Sequence, residues 1–297
     1  MQTLISIVLP CFNEAASLAV VIPQLHTRFP DAEILIVDDG STDGSGPLAA
    51  ELGASLVRLP RNAGNGAAVK AGARAASGEI LVFMDADGQH GTDDIGRLLE
   101  RLDQGYDMVV GARDTSSQAS FGRLAANSLY NRLASWVTSN PVLDLTSGFR
   151  AVRADKFRQF LYLLPNGFSY PTTITMAFFR AGYAVDYVPI RAGARNGRSH
   201  IRPIRDGLRF LLIIFKVGTL YSPLKVFAPA SAVFAVLGSA RYVWTFIEFG
   251  RFTNMSALLF SASALTLLMG LLSEQISNLM YANTELRHVP RRSDDAP

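Results

Sequence analysis

The stretch "ILVFMDADGQHGTDD", residues 80–94, decides how the chain reads. Five apolar residues run directly into Asp85-Ala-Asp87 and then Gly88-Gln89-His90. A short apolar run bounded by turn residues predicts a buried strand, here 79–87. On an extended strand, residues i and i+2 point the same way. Asp85 and Asp87 are therefore expected to face one ligand, with Gln89 continuing the series if the chain stays extended. Oxygen donors of this kind suit a hard divalent cation, Mg²⁺ or Mn²⁺, and two carboxylates leave room for phosphate oxygens from a substrate. A D-x-D pair alone is weak, because short acidic motifs are common by chance. His90 reads as a structural or supporting group.

Working outward, the same strand-then-turn pattern repeats. "LISIVLP" (4–10) predicts the first strand, "EILIVDDGSTDG" (33–44) the second, "SLVRLP" (55–60) the third and "DMVVGAR" (107–113) a fifth. Between them, 13–29, "GPLAAELGA", 64–76 and "DDIGRLLERLDQG" carry helical spacing. Asn13 is the expected N-cap of the first helix, and Pro23 predicts a break or kink within it. Strands alternating with helices predict an α/β fold, a mostly parallel sheet with helices on both faces. Ligands of such sheets bind outside the carboxyl ends of the strands. Asp38, Asp39, Asp85, Asp87 and Arg113 all fall at those ends.

Beyond residue 115, "FGRLAANSLYNRLASWVT" (121–138) reads as an amphipathic helix with Arg123, Asn127 and Arg132 toward one side. "DLTSGFRAVRADKFRQFL" reads as a loop followed by a helix, and "YPTTITMAFFRAGY" as a helix before the strand "AVDYVPI". The segment "RAGARNGRSHIRPIRDG" (191–207) is rich in Arg and has no acid before Asp206, as an anion-seeking surface or a juxtamembrane flank would.

The chain has 297 residues, a formal charge of +3 and 49% hydrophobic residues, with a mean hydropathy of +0.20. The apolar excess is concentrated in roughly 205–282. Residues 208–223 suit an interfacial helix. Residues 224–249 and 255–288 are each long enough to span a bilayer, and the tight connection between them makes a hairpin. Basic residues flank the hairpin on both outer sides while only Arg251 lies between its arms, so the positive-inside rule places the first 200 residues and the C-terminus in the cytoplasm. A buried helix pair in a soluble protein is the competing reading. Small residues (Ala228, Ala230, Ser231, Gly238; Ser261, Ser263, Gly270) would allow close packing, including against other copies in a homo-oligomer. The single cysteine, Cys11, excludes an intrachain disulfide and reads as a packed small residue. No signal peptide is expected in "MQTLISIVLP", and nothing points to a nucleic-acid partner.

Taken in order, "VLPCFNE", "VDDGSTDG", "RNAGNGAAVKAG", "DADGQH" and "TSGFRAVR" resemble the family 2 inverting glycosyltransferases of the GT-A (Rossmann-like) fold, over residues 4–200. "DADGQH", "TSGFR" and "RNGRSHIR" ahead of a two-helix anchor are closest to the polyprenyl-phosphate glycosyltransferases. These include dolichyl-phosphate mannose synthases and bacterial undecaprenyl-phosphate glycosyltransferases. The resemblance implies a metal site at Asp85, Asp87 and Gln89, and a nucleotide-binding face at Pro10, Asn13, Glu14, Asp38 and Asp39. It places Arg113 near the transferred sugar and phosphates, and Arg123 with Asn127 on the acceptor phosphate. Arg195, Ser199 and His200 match a basic loop over the site. Asn127 stands where many synthases have Ser, and His200 where many have Lys.

The implied activity is metal-dependent, inverting transfer from a UDP- or GDP-sugar to an undecaprenyl or dolichyl monophosphate. A different acceptor, a glycolipid or a growing polysaccharide, is the alternative, and a scaffold that kept the fold without activity a further one. The expected organisation is a cytoplasmic catalytic domain (1–204), an interfacial helix (205–223), a transmembrane hairpin (224–288) and a cytoplasmic tail (289–297), an integral membrane protein of the inner membrane if bacterial.

Overall fold

The computed structural model describes residues 4–113, 121–167, 169–190, 215, 218–219 and 221–285. The chain divides into two compact units, Met1–Arg202 and Pro203–Pro297.

The first unit is built on a seven-stranded sheet of order β3-β2-β1-β4-β6-β5-β7. Its strands are β1 (Ile5–Cys11), β2 (Glu33–Asp38), β3 (Ser55–Arg58), β4 (Ile80–Phe83), β5 (Met108–Arg113), β6 (Arg150–Arg153) and β7 (Val185–Ile190). Helices α1 (Ala15–Arg28), α2 (Ser45–Glu51), α3 (Asn65–Ala75) and α4 (Thr92–Asp103) alternate with the first five strands. Helix α5 (Phe121–Thr138) precedes β6, and α6 (Ala154–Gln159) and α7 (Tyr170–Arg180) precede β7. The expected mostly parallel sheet is present: β1 pairs in parallel with β2 and β4, β2 with β3, and β5 with β7.

Strand alternation sends successive side chains to opposite faces, and both faces are covered. Ile7, Leu9, Ile34, Ile36 and Val82 pack with Leu18 and Ile22 of α1 and with Ile95 and Leu98 of α4, all of them essentially buried. On the other face α3 lies directly on β1 and β2. A Cβ added at Gly72 would stand 2.4 Å from Val8 Cγ1 and 3.0 Å from Val37 Cγ2, so only glycine lets this helix come so close.

Three local expectations are corrected. Residues 150–153, inside the stretch read as a loop followed by a helix, form β6, which inserts antiparallel between β4 and β5. Pro23 sits inside an unbroken α1. Asn13 is not the N-cap of α1. Glu14 holds that place without a side-chain bond, and the cap comes from across the sheet. The amides of Asn13, Glu14 and Ala15 donate to Ser41 Oγ, Ser45 Oγ and Asp43 Oδ2, each at 3.0 Å. Asn13 adopts a left-handed φ of 56°, and its Oδ1 accepts the Thr42 amide at 2.8 Å. The "DDGSTDGS" turn thereby satisfies amides that a helix N-terminus leaves open.

In the second unit α8 (Pro223–Phe249) and α9 (Asn254–Glu285) form an antiparallel hairpin, and each contains a 27-residue stretch apolar and long enough to cross a membrane. Small residues seal the seam. Ser231 and Ser263 hydroxyls each donate to the other's carbonyl at 2.9 Å. A Cβ on Gly270 would meet Phe227 Cβ at 2.7 Å. The 205–223 segment lies for the most part outside the described residues.

Candidate active site

The carboxyl ends of β1, β2, β4 and β5 open into a cavity of about 480 Å³. Its walls include Pro10 and Cys11 at the end of β1 and Glu14 after it, Asp39 after β2, Asn62, Gly64 and Asn65 at the head of α3, and Asp85, Asp87 and Gln89 after β4. Arg113 at the end of β5, Thr146 and Gly148 before β6, and Tyr170 and Pro171 of α7 complete them. The structure thus brings together Pro10, Glu14, Asp39, Asp85, Asp87, Gln89 and Arg113 of the expected residues. Cys11 is 2% exposed and borders the cavity, with burial pushing its thiol pKa up.

The acidic motif converges by a different route from strand alternation. Strand β4 ends at Phe83, the Met84 amide still reaches Val8 O at 3.1 Å, and the chain then turns. Gly88 takes a φ of 71°, and the Gln89 amide donates to Asp87 Oδ1 at 3.1 Å. An Asx-type turn, which Asp favours, therefore gathers Asp85, Asp87 and Gln89 on one wall.

Asp38 and Asp39 are neighbours with different surroundings. Asp39 Oδ1 and Oδ2 accept the Ala63 and Gly64 amides at 2.7 and 2.8 Å, so this carboxylate holds the glycine-rich turn while lining the cavity. Asp38 is fully buried and does not line it. Its carboxylate takes the Ser41 amide at 2.7 Å and lies 3.3 Å from Arg58 Nε. Asn13 also stays off the cavity wall, engaged with Thr42.

The glycine-rich turn is shaped for close backbone approach. Gly64 has a φ of 99°, and a Cβ on Gly66 would lie 2.1 Å from Pro165 O. The Ala67 amide donates to Asn166 O at 3.1 Å, and Lys70 Nζ ties the same loop through Leu164 O at 3.0 Å.

Arg113 is fixed rather than free. Its Nε donates to Asp144 Oδ2 at 2.8 Å and its Nη2 to Asp144 Oδ1 at 3.0 Å. Asp144 also accepts the Thr146 and Ser147 amides, so one carboxylate sets both the arginine and the "DLTSG" loop. Burial alone would raise the Asp144 pKa, but the Arg113 bonds and charge outweigh it and hold it below the usual carboxylate range. The same pairing raises that of Arg113.

Asp85 sits deep, with 39% of its side chain open to the cavity. Burial pushes its pKa up, with the Asp87 charge adding to the rise and His90 opposing it. His90 Nε2 stands 4.0 Å from Asp85 Oδ2, and its ring stacks on Phe149 with centroids 4.7 Å apart. Burial lowers the His90 pKa.

Sequence reasoning missed Asp144, Thr146, Asn65 and the buried Arg150. Arg150 donates to Ser147 O, to Pro171 O at 3.3 Å and to Thr175 Oγ1 at 3.2 Å, joining the loop and helix that form one wall. The signal for Asp144 was its place two residues before Thr146, an Asx-turn spacing. Arg123 and Asn127 stand one turn apart on α5, with side chains outside what is described. Arg195, Ser199 and His200 lie outside the described residues.

Chemically, the cavity offers carboxylate and amide oxygens for a hard cation, with an arginine fixed nearby for anionic oxygens. Among the described residues no cluster of three His, Cys, Asp or Glu could hold a metal alone. Oxygens from a bound diphosphate fit that incomplete set.

The family description "Glycosyl transferase family 2" matches residues 6–161, and "GtrB C-terminal hairpin" matches residues 222–279. A polyprenol monophosphomannose synthase of Mycolicibacterium smegmatis is 30% identical over 199 residues, covering 62% of this chain and 75% of that protein. An undecaprenyl-phosphate 4-deoxy-4-formamido-L-arabinose transferase of Enterobacter is 30% identical, with 97% of this chain and 91% of that protein aligned. Among solved structures, glucosyl-3-phosphoglycerate synthase of Mycobacterium tuberculosis with Mn²⁺ and UDP-glucose superposes with a TM-score of 0.57 at 25% identity, over 72% of this chain and 77% of that one.

Proposed function

The chain belongs to glycosyl transferase family 2 and is a glycosyltransferase, and from that premise we propose that it transfers a hexose from a UDP- or GDP-sugar to a polyprenyl monophosphate, with inversion, at the cytoplasmic leaflet. The observation that carries this reading is the cavity itself. It sets Asp85, Asp87 and Gln89 on one wall and a clamped Arg113 on another, in a chain that also carries a membrane-length hairpin. Relatives named for prenyl-phosphate transfer support the acceptor class.

Asp85, Asp87 and Gln89 would hold Mg²⁺ or Mn²⁺. Bound there, the ion would neutralise charge on the nucleotide diphosphate as it leaves. Pro10, Glu14 and Asp39 form the donor face, while Asn13 and Asp38 shape it from behind through the turn at 41–45. Arg113 stabilises anionic oxygens, and its fixed position means no reorganisation is needed at the moment of reaction. Arg123 and Asn127 orient the acceptor phosphate for in-line attack, with Arg195, Ser199 and His200 closing over it. A lipid phosphate is already anionic at neutral pH, so the acceptor needs positioning rather than deprotonation, and one displacement inverts the anomeric carbon.

The organisation we assign is a catalytic domain at 1–204, an interfacial segment at 205–223, a hairpin at 224–288 and a tail at 289–297. The excess of basic residues outside the hairpin arms supports a cytoplasmic catalytic domain. Exposed Ala230 and Ser261 leave small-residue positions for a homo-oligomer. The deciding experiment combines purified full-length protein, polyprenyl phosphate and a panel of UDP- and GDP-sugars with Mg²⁺ or Mn²⁺. Nucleotide release that requires the lipid is expected, and its absence in every pairing sinks the reading.

A further inference from the structure

The closed end of the hairpin carries a cationic cavity that the transfer reaction does not use. It encloses about 490 Å³ and is lined by Arg241, Thr245 and Phe249 at the end of α8, Arg251 in the turn, and Thr253 and Asn254 at the start of α9. Arg241 is two turns inside α8. At 1.5 Å per residue its Cα lies about 12 Å from the last helical residue, Phe249. A charge at that depth in a span is costly and calls for a partner. No carboxylate pairs with it among the described residues. Its Nε is buried without a hydrogen-bond partner, while its guanidinium stacks over Trp244, 4.6 Å from the ring centroid. Stacking orients the planar fork and leaves its in-plane donors for an anion. Arg251 supplies a second cation from the turn, and the Asn254 amide can donate as well.

We propose that this cavity binds the phosphate headgroup of an anionic lipid, in the leaflet at the closed end of the hairpin. The inference rests on the membrane-spanning reading above. A phosphate at the interface answers both features at once: it neutralises Arg241 and Arg251 together, and its chains run along the apolar faces of α8 beside Trp244. Arg favours such planar, two-point recognition of phosphate.

The test uses the full chain with Trp136→Phe, which leaves Trp244 as the sole tryptophan. It is reconstituted in vesicles of phosphatidylcholine and phosphatidylglycerol in which one or the other carries brominated acyl chains. Preferential quenching by brominated phosphatidylglycerol is expected, at least threefold in relative affinity, and it should fall to parity in Arg241→Gln/Arg251→Gln. Parity in the parent, or an unchanged preference in the double variant, overturns the site. Relief of the preference by millimolar inorganic phosphate, beyond that from chloride at matched ionic strength, would identify a soluble phosphate ligand and overturn the lipid assignment. Preferential quenching by brominated prenyl monophosphate over brominated phosphatidylglycerol would support the same headgroup site with a prenyl chain as its source. No quenching by any brominated lipid would instead sink the membrane-spanning reading itself.

Discussion

Arg113 and Asp144 form a two-point ion pair, Nε to Oδ2 at 2.8 Å and Nη2 to Oδ1 at 3.0 Å, across 31 residues of sequence. It joins the end of β5 to the loop before β6, so the arginine at the cavity wall and the loop opposite it are positioned by one carboxylate. In Asp144→Asn the side chain loses its charge and one of its two acceptor oxygens, so Arg113 can keep only one of its two bonds. Hydrogen bonds to charged groups contribute roughly 1.5–3 kcal/mol. A stability loss of about 2 kcal/mol is expected from urea unfolding, with a fall in transfer rate of tenfold or more. Full activity in a variant destabilised to that extent would show that Arg113 does not need this clamp.

The same pair fixes a pH dependence. The Asp144 pKa is depressed in the folded state, because the Arg113 bonds and charge outweigh burial. A depressed carboxylate stabilises the fold above its unfolded pKa, about 4, and that contribution is lost as pH falls through the lower folded value. The stability gap between wild type and Asp144→Asn should therefore be full at pH 7 and shrink toward zero at strongly acid pH. Urea midpoints across that range measure it, and a gap independent of pH would rule out the ion pair as its source.

Asp87 has a readout separable from activity. Asp87→Asn is expected to cut transfer by a hundredfold or more and to weaken Mn²⁺ binding in the presence of UDP, followed by electron paramagnetic resonance. Chelation of divalent ions from the wild type should abolish transfer reversibly. Activity near wild type in Asp87→Asn would remove the metal assignment.

Gly66 meets a backbone carbonyl, not a movable side chain. A Cβ there would lie 2.1 Å from Pro165 O, so Gly66→Ala must push the 165–167 loop away from α3. Overpacking of this kind costs about 1–3 kcal/mol, more than the helix propensity gained. Weaker nucleotide binding should accompany the loss, because Gly64 and Asn65 line the cavity. Calorimetric titration with UDP and Mn²⁺ checks both, and unchanged affinity with unchanged stability would contradict the contact.

Ser231 and Ser263 exchange hydrogen bonds across the hairpin seam. Such pairs inside membranes average about 0.6 kcal/mol by double-mutant cycle. The two hydroxyls also lie 3.1 Å apart, so Ser231→Ala and Ser263→Ala should show a coupling of that order in detergent unfolding, and strict additivity would mean that each hydroxyl acts separately through the backbone carbonyl it faces.

The sequence by itself determined the alternation of strands and helices, the placement of acids and arginines at strand ends, and the membrane-length hairpin. Each of these is local: apolar runs, turn residues and helical spacing act within a dozen residues. Tertiary structure alone decided which groups meet. Asp38 and Asp39 are adjacent and chemically equal, yet one is buried against Ser41 and Arg58 while the other holds the Gly64 turn at the cavity. Strand β6 was hidden because four residues with arginine at each end look like a loop until β4 and β5 offer their edges. The partner of Arg113 was hidden for the same reason: Asp144 lies 31 residues further along the chain, and only the sheet order brings it to the side of that arginine.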